Sequence, residues 1–190
     1  HRRLSTRDNS GQTARGYLVL GLARQTAEAF EAKFGYAPTG VLSAPGRVNI
    51  IGEHTDYNEG FVLPFAINRR TYAEVQLRSD GIARVTSDFS PDEVQVAIDH
   101  IGPRDDWAAY PLGVAWAIQQ LSGKSGQGFN AHIRSEVPVG AGLSSSAAIE
   151  CAVGTALNEL WNSGLTKKQL ARAGQLGENK IVGAPTGIMD

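Results

Sequence analysis

"VPVGAGLSSSAAIE", residues 137 to 150, joins two kinds of chain. Before it, "GFNAHIRSEV" (residues 128 to 137) alternates apolar and polar groups with the period of a strand. Behind it, "SSSAAIECAVGTALNELWN" (residues 144 to 162) carries the clearest helical pattern in the sequence. Gly140 and Gly142 let the backbone turn sharply and come close to a ligand. Ser144, Ser145 and Ser146 then meet the first turn of the helix. A helix N-terminus presents N–H groups and a partial positive charge, and so suits a phosphate. A tight turn with serine caps would use the same residues. The long alanine-rich helix directly behind three serines favours an anion cradle. Two nucleotide signatures are excluded. Ser145 stands where G-x-G-x-x-G needs its last glycine, and Ile118 stands where a P-loop ending in "GKS" (residues 123 to 125) needs its first. That "GKS" is expected to be a surface turn after a helix.

Upstream, most of the chain reads as strands. "GVLSAPGRVNIIG" (residues 40 to 52) predicts two short extended runs broken at Pro45-Gly46, and "GFVLPFAI" (60 to 67) a strand that Pro64 places at an edge or bend. "TYAEVQLRSD" (71 to 80) alternates and ends at Asp80-Gly81, a hairpin signal; "IARVTSDF" and "EVQVAID" continue the pattern. Helices are expected over residues 17 to 34 with Gly35 as C-cap, over 107 to 121 after the first turn, and after Thr166 as N-cap. Antiparallel-looking strands followed by helices indicate an α+β fold. Residues 1–16 read as a polar lead-in and 17–190 as one domain.

With 190 residues, 42% hydrophobic and 19% charged, the composition is that of an ordinary globular protein. A net charge of -1 gives no reason to expect a nucleic-acid partner, and no apolar run reaches the length of a membrane span. Cys151, the single cysteine, cannot form an internal disulfide; core packing and a reducing cytoplasm are expected. The chain starts at His1, and its one methionine is Met189, which suggests a piece of a longer protein.

A second stretch is harder to explain structurally. "APGRVNIIGEHTDYNEGFVLP" (residues 44 to 64) sets Glu53, His54, Asp56 and Glu59 between Gly52 and Gly60, with apolar runs on both sides. A core strand does not want these groups. With no second histidine nearby, His54 and Asp56 make a poor metal site.

Together the stretches resemble the galactokinases of the GHMP small-molecule kinase superfamily. "GRVNIIGEHTDYNEGFVLP" is similar to the galactokinase signature, "PVGAGLSSSAA" to the superfamily's ATP-binding loop, and "GENKIVGAPTGIMD" (residues 177 to 190) to the segment carrying a magnesium-binding glutamate and a catalytic aspartate. The resemblance covers residues 17 to 190 and implies an N-terminal domain like the second domain of ribosomal protein S5. The family's C-terminal domain, its third motif and an aromatic sugar contact would be missing.

By the same resemblance, the substrates are galactose and ATP and the cofactor is Mg2+. Asp190 is the catalytic base, and Arg47 stabilises the transition state. Glu53, His54, Thr55 and Asp56 bind sugar hydroxyls, with a backbone N–H of Gly187. Gly140, Ala141, Gly142, Leu143, Ser144, Ser145 and Ser146 hold the phosphates, and Ser146 and Glu178 the metal. Ser87 falls, by spacing, where some relatives contact the nucleotide. A monomer is expected at full length, and the 190 residues alone are expected to be inactive. The chemistry suits the sequence: a hexose offers hydroxyls that donate and accept, carboxylates accept strongly, and an imidazole can do either. Two rivals share the frame. One is a kinase for N-acetylgalactosamine or arabinose. The other is a silent sugar and ATP sensor, against which the intact Ser144–Ser146 run and Asp190 speak.

Overall fold

The structure, a computed structural model, describes residues 14–52, 58 and 60–189, and only the backbone of 14–20. The sheet holds β1 (Gly40–Asn49), β2 (Pro64–Arg78), β3 (Ile82–Ser87), β4 (Val94–Ala97) and β5 (Gly128–Ser135), in the order β1-β2-β5-β3-β4. The helices are α1 (Ala14–Phe34), α2 (Ala109–Ser122), α3 (Ser145–Leu160) and α4 (Lys167–Gly177), the last running into a wide π-type turn over Glu178–Val182.

Alternation along the central strands sets the two faces. Ala73 and Val75 of β2, Val85 of β3 and Phe129, Ala131 and Ile133 of β5 join one core with Leu112, Val114 and Ile118 of α2 and Ile149, Val153 and Leu157 of α3. The opposite face is polar, with Glu74, Asn130, His132 and Thr86 buried there. The end of α1 meets this face: Tyr36 bonds Asn130, and the Arg84 guanidinium lies 4.8 Å from the Phe34 ring centroid. Glu74 is fully buried with no hydrogen-bond partner on either carboxylate oxygen. Burial first, and the charge of Asp88 second, raise its pKa to about 8.

Several sequence expectations change. Asp80-Gly81 does turn the chain, with Gly81 at φ +71, but β2 and β3 do not pair. Strand β5 lies between them, antiparallel to β2 and parallel to β3. Gly128 makes the insertion possible, since a Cβ there would sit 2.5 Å from the Ile82 nitrogen. Pro45-Gly46 does not break β1 in two; it forms a bulge within one strand. Pro64 opens β2, a strand that takes in both "FAI" and "TYAEVQLR", on the part that pairs with β1 alone. Cys151 is exposed rather than in the core. It shares a face of α3 with Thr155, whose hydroxyl donates to the Cys151 carbonyl at 2.7 Å, while Ala148, Ala152 and Ala156 take the inner stripe. Other expectations hold. Gly123 of "GKS" caps α2 in the left-handed region, and the Thr166 hydroxyl accepts from the Gln169 N–H in a capping box.

Helices α2 and α4 meet through two glycines. A Cβ on Gly177 would lie 2.7 Å from the carbonyl carbon of Gly113. This approach lets α4 carry the next residue, Glu178, into the interior. Gly177→Ala is therefore expected to destabilise the fold by about 1–3 kcal/mol, the range for overpacking a filled interface. Thermal melting of the variant against the parent chain measures it, and an unchanged midpoint would contradict this packing.

Candidate active site

The loop of residues 137 to 144 leaves the sheet at the end of β5 and enters α3. Gly140 and Gly142 take φ of +74 and +69, and Ser144 follows at φ 53. These consecutive left-handed turns reverse the chain, so that α3 points its N-terminus back along the loop. Gly140, Ala141 and Gly142 are exposed, and Leu143 to Ser146 half-buried. The first intrahelical bond runs from the Ala148 N–H to the Ser144 carbonyl at 3.0 Å. The preceding N–H groups, of Ser145, Ser146 and Ala147, stand at the free end of the helix.

The β1 bulge ties Arg47 to this loop. Its backbone N–H donates to the Leu143 carbonyl at 3.0 Å. Gly46 permits the contact: a Cβ there would come within 2.9 Å of both the Leu143 oxygen and the Val137 side chain. Half-buried Arg47 lines a cavity of about 270 Å³ with Phe65, Ser144, Ala147, Cys151 and Met189. Past β1, Ile50 N–H donates to Leu63 O at 3.0 Å and Leu63 N–H to Ile51 O at 3.1 Å. These bonds join the residues on either side of the stretch that contains Glu53, His54, Thr55 and Asp56. Those four residues lie outside the described ones.

Glu178 approaches from α4. It is buried, not the exposed helix charge its sequence surroundings would also allow. A pocket of only about 20 Å³ lies between α3 and α4, lined by Glu178, Gly187, Gln175, Gly174 and Glu150. Glu150, 3% exposed, has its pKa pushed well above the carboxylate range, by burial first and by Glu178 second. Tyr110 of α2 is raised by burial and then by the same two glutamates, so all three groups converge. The segment after Glu178 is fastened back onto α4. Ala184 N–H donates to Glu178 O, Thr186 N–H to Asn179 Oδ1 and Gln175 Nε2 to Thr186 O, at 3.1, 3.0 and 3.2 Å. That strap carries half-buried Gly187 and delivers Met189 to the Arg47 cavity. Asp190, the next residue, lies outside the described ones.

Ser87 ends β3 beside Ile133 of β5, at the sheet end from which the loop departs. Its hydroxyl is buried and accepts from the Ser90 N–H at 3.1 Å. It thus shapes the turn that sets Phe89 edge-on to Trp107, their centroids 5.4 Å apart. The described residues bring together Arg47, Ser144 and Met189 around one cavity, with Glu178 and Gly187 at an adjoining pocket; the other residues of the glycine-serine loop, Ser146 included, line neither. Ala147 and Cys151 line both. Sequence reasoning missed Glu150. Its one signal was a position four residues after Ser146, on the same face of α3.

Among the described residues no three His, Cys, Asp or Glu side chains form a metal cluster. Magnesium does not need one, because it takes one or two carboxylates plus phosphate oxygens and water. Buried Glu178, with an unpartnered oxygen of Glu150 lining the same pocket, fits such an ion. Both carboxyl groups offer oxygen donors, and the space is small.

Comparison with known proteins adds relatives. The galactokinase galactose-binding signature matches residues 28–77, and the GHMP kinases N-terminal domain matches 109–190. The chain is 49% identical to the galactokinase of Streptomyces coelicolor over 172 residues, 89% of this chain and 44% of that protein. It is 46% identical to the galactokinase of Chloroflexus aurantiacus over 164 residues, 85% of this chain and 42% of that protein. Among solved structures, Lactococcus lactis galactokinase complexed with galactose superposes with a TM-score of 0.78 at 33% identity, over 91% of this chain and 45% of that one. Methanococcus jannaschii mevalonate kinase, at TM-score 0.67 and 20% identity over 79% of this chain and 50% of that one, shares the fold. The chain thus spans less than half the length of the galactokinases it matches.

Proposed function

The chain belongs to the galactokinase family of the GHMP kinases, and we propose that its protein transfers the γ-phosphoryl group of ATP to the anomeric hydroxyl of galactose. The product is alpha-D-galactose 1-phosphate, formed in galactose metabolism by the Leloir pathway in the cytoplasm. One observation carries the proposal: the Arg47 N–H bond to Leu143 joins the sugar-signature strand to the phosphate loop around a single cavity, which Met189 also lines.

Phosphoryl transfer asks mainly for positioning and charge stabilisation. The N–H groups at the start of α3 and the loop of Gly140 to Ser146 hold the β and γ phosphates. Glu53, His54, Thr55 and Asp56 orient the sugar hydroxyls, with the Gly187 N–H supporting them. Asp190 accepts the proton of the anomeric hydroxyl. Arg47 lies beside the residue preceding Asp190, where its charge favours the ionised aspartate and spreads the charge of the transferring group. Ser146 and Glu178 would hold Mg2+, which would offset the charge of the phosphates. Ser87 is the residue assigned to the nucleotide. The 190 residues by themselves are inactive in this account. They span less than half of the relatives' length, and Ile51, Val139 and Phe65 stand exposed around the site at 66%, 71% and 47%. Such apolar surface ordinarily has a cover.

Glu178→Ala tests the assignment. Because Glu178 is proposed to touch only the metal, the variant should need at least tenfold more Mg2+ for half-maximal turnover. Its galactose affinity should stay within about twofold of the parent. Steady-state rates over a Mg2+ series measure this, and an unchanged activation curve would count against the assignment.

A further inference from the structure

We propose that Glu150 belongs to the divalent-cation site as the acceptor for a metal-bound water, facing Glu178 across the pocket between α3 and α4. This rests on the kinase function proposed above and adds a residue to it. Glu150 is 3% exposed and its Oε1 has no hydrogen-bond partner, although a buried carboxyl oxygen left unpaired is costly. The place is built for the side chain. Gly174 of α4 lies against it, and a Cβ on that residue would come within 3.1 Å of Glu150 Oε2. The glycine leaves room for a carboxyl group where alanine would crowd it.

The pocket that Glu150 and Glu178 share, about 20 Å³, has room for about one water. Ser146 stands one turn before Glu150 on α3, and Glu178 follows α4 one turn after Gly174. The two carboxyl groups therefore meet at one small space, with Ser146 outside its lining and one turn away. Magnesium gives up its water reluctantly and keeps several water ligands when bound, so its outer neighbours are acceptors for those waters. Glu178 with Ser146 supplies the inner contacts, and Glu150 the outer one. Were Glu150 only a filler of the helix interface, an apolar side chain would serve there better.

Mn2+, read by loss of its free electron paramagnetic resonance signal, probes the site in the full-length protein with a non-hydrolysable ATP analogue. Glu150→Met, similar in shape and uncharged, should raise the melting temperature without metal yet bind Mn2+ about 10–100-fold more weakly, the usual loss for an outer-shell partner. Gly174→Ala keeps both carboxylates but crowds Glu150, and should also weaken Mn2+ binding, by about tenfold. Galactose affinity should change in neither. Mn2+ affinity within twofold of the parent in both variants overturns the proposal. Glu178→Gln separates the two levels of the account. If it loses Mn2+ while Glu150→Met and Gly174→Ala do not, Glu150 alone is misassigned. If Glu178→Gln also binds normally, the metal site of the proposed kinase falls with it.

Discussion

Asp190→Asn in the full-length protein is expected to remove nearly all turnover while galactose still binds within a few-fold of the parent affinity. Asparagine keeps the shape of the side chain and its power to accept a hydrogen bond, but cannot take the proton of the anomeric hydroxyl. A positioned base contributes about 10²–10⁴-fold to such a transfer. The loss should sit at the upper end, because the carboxylate also orients the attacking oxygen toward the γ-phosphate, and small misplacements are expensive. Met189, the residue before Asp190 in the sequence, lines the Arg47 cavity at the end of a strap held to α4 by the bonds of Ala184, Thr186 and Gln175. The test compares single-turnover rates and galactose titrations for the two proteins. Turnover within tenfold of the parent would remove Asp190 from the chemistry.

The second large effect concerns the sugar. Asp56→Ala should weaken galactose binding by about 2–5 kcal/mol, the range for truncating one partner of a buried charge-assisted hydrogen bond. A site built to satisfy each hydroxyl rejects a molecule that leaves one of its groups unpaired. The same loss should therefore narrow the preference for galactose over sugars differing at a single hydroxyl. Calorimetric titration of both proteins with galactose and with such an epimer measures the two quantities. A variant that binds galactose as tightly as the parent would return "EHTD" to a solvated turn.

What was legible in the sequence was local. Turn and cap chemistry announced itself through Gly35, Gly123 and Thr166, because those effects act within a few residues. The glycine-serine loop was legible for the same reason, since left-handed backbone at Gly140 and Gly142 and a helix starting at Ser145 are properties of that stretch itself. Pairing across the chain was not legible. Asp80-Gly81 carries all the marks of a hairpin, yet the partner of β2 is β5, about fifty residues on, admitted by the missing side chain of Gly128. Cys151 was misplaced because composition says that cysteine is often buried but does not say which face of α3 turns to the cleft. Glu150 went unread because its meaning depends on Gly174, from another helix, whose approach is set in turn by Gly113 against Gly177. The residues proposed to touch sugar and phosphate come from motifs, and those that arrange the described part of the site needed coordinates.

The central claim is that one cavity, bounded by the sugar-signature strand and the phosphate loop, joins galactose to the γ-phosphate of ATP at the anomeric oxygen. Phosphorus NMR of a reaction containing the full-length protein, MgATP and galactose tests this directly, with mevalonate and homoserine as competing acceptors. The account predicts an ATP-dependent resonance of an anomeric sugar phosphate in the α configuration, accumulating faster than any product from the other two. No phosphorylated galactose, a phosphate on another hydroxyl, or faster transfer to mevalonate or homoserine would contradict it.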